Sequence, residues 1–303
     1  MNCVVCTITT QFNPLTPMTT SFVKSTTVRA AFASTLTFAA CFGAMAQQSP
    51  EAREASPLWE VGGVALGVSQ QAYPGSDQQV RRALALPFFV YRGEILRADS
   101  ETVGLRAFKT PDFELDIGFA GAFGSSANDI EARRGMRDLG TLVELGPRLK
   151  WNLGAGPGNG RWRAEFPLRA VLDLDDKAAL RGVSFEPKLT FERQARSGWG
   201  YSASISAIVA DQKLASTFYE VSPAEATAQR AAYAAKSGLV AWRLSTSASR
   251  SLGPDWRVFG FARVDSVGGA ANEASPLVRQ QNGASLGVGL IYTWLRSEQR
   301  SRD

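Results

Sequence analysis

The chain has 303 residues and not one histidine. That absence removes Ser-His and Cys-His nucleophilic catalysis and every imidazole metal site. Cysteine is almost as scarce. Cys3, Cys6 and Cys41 are the only three, and all lie within the first 46 residues. A chain trimmed there carries no disulfide framework, although it would be exported. Downstream of residue 46 no run holds the roughly 18 uncharged apolar residues of a membrane helix. A charge excess is missing too. Removing Lys24 and Arg29 from the 33 basic residues leaves 31 against 28 acidic ones. So small an imbalance gives no argument for nucleic acid.

The first 46 residues read as a signal peptide. Lys24 and Arg29 are its only charges, Ala30 to Met45 is apolar and small, and Ala44-Met45-Ala46 is a small-x-small cleavage signal before Gln47. Met18 is an alternative start. Phe38-Ala39-Ala40-Cys41 resembles a lipoprotein box, but Phe is a poor first residue for one. Residues 47–57 form a polar lead-in, 58–295 the body of the protein, and 296–303 a polar tail.

What the body has in abundance is period-two alternation. In Asp112 to Phe123, Phe113, Leu115, Ile117, Phe119 and Phe123 alternate with Glu114, Asp116, Gly118, Ala120 and Ala122. In Arg161 to Leu174, Trp162, Phe166, Leu168, Leu172 and Leu174 alternate with Arg163, Glu165, Pro167, Arg169 and Asp173. Val143, Leu145, Leu149 and Trp151 oppose Glu144, Arg148 and Lys150; Val183, Phe185, Leu189 and Phe191 oppose Ser184, Glu186, Lys188 and Glu192. Successive strand side chains leave opposite faces of the pleat. Strands of about ten residues, apolar on one face and charged on the other, suit a wall with lipid outside and a polar lumen inside. The expected fold is all-β: an antiparallel transmembrane β-barrel of about 12 strands, with short periplasmic turns and longer extracellular loops.

Strands are expected at 58–70, 81–91, 94–99, 102–109, 113–123, 141–153, 161–174, 182–194, 199–210, 238–250, 256–266 and 284–295. Dividing 94–109 into two keeps the long loops on one side, as an even-stranded barrel requires. Trp59, Trp151, Trp162, Trp199, Trp256 and Trp294 then all fall near strand ends on the short-turn side. Indole prefers the membrane–water interface, so these six read as an aromatic girdle. In a soluble sandwich they would have no reason to share a side. A loop helix is expected within Ser222 to Lys236.

Several segments in fixed order carry a resemblance. They are Tyr73-Pro74-Gly75-Ser76-Asp77, Leu86-Pro87-Phe88-Phe89-Val90-Tyr91, Gly135-Met136, Val143-Glu144-Leu145-Gly146-Pro147, Phe218-Tyr219-Glu220-Val221-Ser222-Pro223, Ser275-Pro276-Leu277-Val278 and Ile291-Tyr292-Thr293-Trp294. The set resembles the MipA/OmpV family of outer-membrane proteins. Glu220 departs from the family's usual Gly, and nine residues follow Trp294. The resemblance implies a monomeric barrel in outer-membrane lipid. It also implies a scaffold that holds a lytic transglycosylase, a murein hydrolase, together with a murein-synthesising penicillin-binding protein. It implies no enzyme and no cofactor.

Other chemistry has a plainer reading beside it. The inward charges Glu114, Asp116, Glu144, Arg148, Lys150, Arg163, Glu165, Arg169, Glu186, Lys188 and Glu192 mix both signs. They would brace the lumen as ion pairs, or else line a conduction path. Asp173, Asp175 and Asp176 would be calcium ligands or a solvated turn, and no ligand spacing supports the first. Gly154 to Gly158 lacks a following Gly-Lys-Ser and reads as a turn, not a phosphate loop. Ser222 and Ser275 have no histidine to activate them. Tyr73 to Asp77 has turn chemistry and would close onto the barrel mouth, or else touch a ligand or partner. Function therefore divides between a scaffold acting through the short-turn face, a narrow channel or small-molecule uptake protein, and a membrane hydrolase that the missing histidine disfavours.

Overall fold

A computed structural model describes residues 56–93, 96–98, 103–122, 127–193 and 198–301. The expected signal peptide at 1–46, nearly all of the lead-in, and Phe123 lie outside those residues. All described residues belong to the unit Arg53–Asp303.

The strands run Trp59–Gln71 (β1), Gln79–Arg92 (β2), Leu96–Ala98 (β3), Val103–Lys109 (β4), Phe113–Ala122 (β5), Leu142–Gly156 (β6) and Gly160–Asp173 (β7). They continue with Ala179–Phe185 (β8), Lys188–Arg193 (β9), Trp199–Ala210 (β10), Gly238–Ser251 (β11), Trp256–Ser266 (β12) and Asn282–Arg296 (β13). Apart from β8 and β9, each pairs antiparallel with its sequence neighbours, and β1 pairs with β13, so one sheet closes into a barrel. β8 and β9 are two halves of one stave, lying end to end between β7 and β10. The wall therefore has twelve staves. Glu186-Pro187 interrupts the divided one, because proline has no N–H for the ladder. The 94–109 segment folds back on itself, Leu96 opposite Leu105 and Ala98 opposite Val103, so it is two strands as expected.

Among the described residues no helix is long and apolar enough to cross a membrane; here strands form the wall. The outward positions are apolar and bare. Leu115, Ile117, Leu149, Leu168, Leu189, Leu244, Val264, Leu286 and Val288 are all exposed large hydrophobics. In water so continuous a band would be an aggregation surface. In hydrocarbon it is the solvated face.

Two loop expectations change. The helix of the longest loop is Gln212–Tyr219 (α1), not within Ser222 to Lys236. Asp211 caps it, its carboxylate accepting from the Leu214 amide at 2.8 Å. Beyond it the chain pairs locally, Val221 with Tyr233 and Thr227 with Arg230, leaving no length for a second helix. The turn expected at Gly154 to Gly158 is also tighter and lies further along the chain. β6 and β7 stay paired to Gly156 and Gly160, leaving Pro157–Asn159 to turn. A Cβ at Gly160 would stand 2.3 Å from the Phe191 ring, so only glycine fits beneath that aromatic.

The C-terminal tail is not a loose appendage. The Ser297 amide donates to Trp59 O at 2.9 Å, the Leu58 amide to Gln299 O at 2.8 Å, and the Ser301 amide to Ser56 O at 2.8 Å. The tail and the end of the lead-in thus continue the β1–β13 ladder past the barrel on the short-turn side.

Candidate functional site

Alternation decides which side chains enter the lumen, and the register brings their charges opposite one another. Glu114 stands across from Lys150, Asp116 from Arg148 and Lys150 from Glu165. Lys150 Nζ reaches Glu114 at 2.9 Å and Asp116 at 3.0 Å. Arg148 grips Asp116 with two nitrogens, at 2.7 and 3.0 Å, and lies 3.6 Å from Glu165. Arg163 bridges Glu165 and Glu192, each at 3.1 Å, and Arg169 meets Glu144 at 3.0 Å. Asp116 is entirely buried. A buried carboxylate is tolerable only with such partners.

Through Glu186 and Lys188 the charges continue to residues the sequence reading had not named. Glu186 accepts from Ser206 at 2.8 Å and lies 3.8 Å from Arg243 and 3.9 Å from Lys188. Arg243 holds Asp265 at 2.7 Å, and Arg263 flanks that carboxylate at 3.6 Å. Arg106 lies 3.4 Å from Glu114. The signal for Arg106, Arg243, Arg263 and Asp265 was the same alternation, in strands whose polar face had not been read residue by residue.

Above this layer the long loops fold into a roof. Tyr73, Ile130, Leu139, Leu214, Ala215, Tyr219, Val221, Ala235, Val267 and Leu277 form one buried cluster with Leu142, Val171, Ala210, Val240 and Ala241 of the strands. Val171 pairs with Glu144 and Ala241 precedes Arg243, both lumen-facing positions, so the roof packs inside the mouth. The Tyr73 hydroxyl donates to Leu277 O at 2.8 Å, the Tyr219 hydroxyl to Pro74 O at 2.9 Å, and the Ser275 hydroxyl to Tyr219 O at 2.7 Å. Three segments remote in sequence therefore lock one another. Gly75 (φ 93°) makes the turn, and its carbonyl accepts from the Arg279 and Gln280 amides. Buried Ser76 offers its carbonyl to Gln71 and Gln280, both at 2.7 Å. Asp77 stays on the surface, 4.0 Å from Arg279.

Burial pushes the Tyr73 phenol up to about 12 and raises Tyr219 as well. The Arg133 guanidinium lies 5.9 Å over the Tyr73 ring, and burial lowers its pKa. It donates to Phe218 O and Arg137 O, tying the 127–139 loop to α1. Ser222 hydrogen-bonds Glu225 and lowers its pKa. Its hydroxyl is a structural donor at 2.6 Å.

The acidic turn is held by protein partners. Arg181 holds Asp173 at 2.7 Å and Asp176 at 2.8 Å, and Asp175 accepts from the Thr141 amide at 2.8 Å. Among the described residues no group of three metal-ligating side chains converges.

Trp151, Trp162, Trp199, Trp256 and Trp294 are exposed, and all six girdle positions, Trp59 included, lie at the short-turn ends of their strands. Other rings join them. Trp256 meets Tyr292 at 4.5 Å, Trp162 meets Phe191 at 5.1 Å, and Phe113 meets Trp151 at 5.7 Å.

No curated protein matches the chain. Among solved structures it resembles the NanC porin at 10% identity, over 78% of this chain and 98% of that one, with a TM-score of 0.36. It resembles an outer-membrane channel from Pseudomonas putida F1 at 12% identity, over 82% of this chain and all of that one, with a TM-score of 0.33. The family model described as MltA-interacting protein MipA matches residues 62–294, from the fourth residue of β1 to Trp294 near the end of β13. The chain is a bacterial outer-membrane β-barrel protein and belongs to the MltA-interacting protein MipA family.

Proposed function

We propose that this barrel is a non-catalytic scaffold that binds periplasmic murein-remodelling enzymes, a lytic transglycosylase and a penicillin-binding protein, through its short-turn face. The observation that carries the reading is the roof. A channel needs a continuous wet path, and here ten buried apolar loop residues pack against five of the strands at the outer mouth, above a cross-braced ionic layer. The family's description, an interacting protein, supports binding over transport. Loops packed into the outer mouth favour a function carried by the surface. On the periplasmic side that surface is the turns at 110–112, Pro157–Asn159 and 252–255, together with the paired lead-in and tail. This ordered β-extension gives a partner more to hold than turns alone. The interface remains small, and we expect a single barrel per complex and micromolar affinity.

Capture of murein enzymes from solubilised envelopes tests the proposal, with single-channel recording beside it. Capture without steady conductance is expected. Steady conductance of the intact barrel without capture would favour the uptake reading.

A further inference from the structure

The barrel wall is uneven. Only residues 94–109 are available for β3 and β4, which after a turn leaves about seven residues per pass, against the 9–11 a full tilted crossing needs. The pairing shows the result. β2 meets β3 only through Tyr91 with Ala98 and Arg92 with Arg97, although β2 runs twelve residues further, to Gln79. From Pro87 to Gln79, one edge of β2 has no strand partner among the described residues. Among the described residues the wall therefore has a notch on its extracellular half.

The sequence is adapted to that notch. The Arg92 amide donates to Leu58 O, so even-numbered residues of β2 turn their backbone groups to β1 and odd-numbered ones turn theirs to the open edge. Pro87 is odd-numbered, so its missing N–H faces the edge where no ladder needs it. The prolines of the other staves mark interruptions: Pro147 stands beside a gap in the β6–β7 ladder, and Pro167 and Pro187 at the β8/β9 break. The β1–β2 ladder is unbroken around Pro87, so the interruption is on its other side. The Arg82 guanidinium donates to Arg81 O at 3.2 Å, covering one odd-numbered edge carbonyl. Backbone left open at membrane depth must line a polar or occupied space.

We propose that the notch binds a phosphorylated, acylated lipid of the outer leaflet. Leu84, Leu86 and Phe88 descend the lumen face of β2, opposite Leu66, Val64 and Gly62. Leu86 is 52% exposed although it faces inward, so the notch opens onto it. Phe88 floors the path, its ring lying where a Cβ on Gly62 would be. Arg81 and Arg82 are exposed near the outer rim, one on each face of the edge strand. Two guanidiniums above an apolar track match a phosphate above an acyl chain.

The test uses the barrel purified from outer membranes in detergent and native mass spectrometry. The probes are bisphosphorylated lipid A, its dephosphorylated form and phosphatidylglycerol. One bisphosphorylated lipid A per barrel is expected, held at least tenfold more tightly than either other lipid. Joint Arg81→Gln and Arg82→Gln substitution should reduce retention at least tenfold. Equal retention of the three lipids, or no loss in the double variant, overturns the proposal. A photocrosslinker placed at Leu86 or at exposed Leu244 leaves the arginines intact and covers any folding failure of the double variant. Labelling by one equivalent of lipid A at Leu86 alone supports the site, and equal labelling at both defeats it.

Discussion

Tyr73 and Tyr219 meet edge to face within the roof, ring centroids 6.3 Å apart and planes at 83°. Each hydroxyl donates to a backbone carbonyl, that of Leu277 for Tyr73 and that of Pro74 for Tyr219. The closed mouth is organised around this pair.

Alkali should loosen the roof. Tyr73 titrates near 12 in the folded protein, above the ordinary value of 10.0. The folded chain thus holds that proton more tightly than the unfolded chain. The associated stability, about 3 kcal/mol, is complete below pH 10 and is lost as pH rises through 12. Limited proteolysis of the outer loops should accelerate across that window, with tyrosinate absorbance rising alongside. Tyr73→Phe, which forfeits about 1 kcal/mol of hydrogen bonding, should weaken the pH dependence. A roof equally resistant at pH 8 and pH 12 would contradict the assignment.

Three substitutions read the wall. Ile117 is 38% exposed on the outer face, so Ile117→Arg should destabilise the barrel in lipid by roughly 2–4 kcal/mol. Glu165→Gln should cost about 1 kcal/mol, because Arg148 keeps Asp116 and Arg163 keeps Glu192. Asp116→Asn leaves Arg148 and Lys150 short of their buried counter-charge and should cost roughly 3–5 kcal/mol. Urea unfolding from lipid vesicles ranks the three. A Glu165→Gln cost equal to that of Asp116→Asn would show that the ladder is not shared as the distances indicate.

Neutral Gly-Ser residues in place of Pro157–Asn159 and of 252–255 should reduce capture of murein enzymes several-fold. The β6–β7 ladder ends at Gly156 and Gly160, so replacement of the turn alone spares the wall. Undiminished capture, together with its loss when the 211–237 loop is cut, would move the function to the outer face.

Intact mass of the envelope protein should place its first residue near Gln47 and find no cysteine. A diacylated Cys41 would be incompatible with cleavage after Ala44-Met45-Ala46.

The wall was legible and the roof was not, for one physical reason. A strand that separates lipid from a polar lumen must alternate residue by residue, so Ile117 and Asp116 declare their faces locally. Closed sheets of neighbouring hairpins also fix which charges meet, which is how Glu114 and Lys150 come to face each other. The roof depends on contacts such as that between Tyr219 and Pro74, 145 positions apart, with no periodicity to betray them. Only the ordered motifs hinted that Tyr73, Tyr219 and Ser275 belonged to one structure. The misplaced loop helix has a similar origin. Alanine content favoured 222–236, but the cap at Asp211 and the burial of Leu214 and Tyr219 favoured the segment before it.

The ladder that joins the two ends of the chain sets a timetable for assembly. β1, made first, cannot satisfy one of its edges until β13, made last, arrives, with Glu60 opposite Arg296. That seam is the longest-range pairing in the barrel, and long-range pairing is slow. The exported chain must therefore cross the periplasm with both seam edges uncovered. The stitching of Ser56 to Ser301 then lengthens the final zip beyond the membrane, so shortening the tail should act first on the rate of closure and only afterwards on the finished barrel.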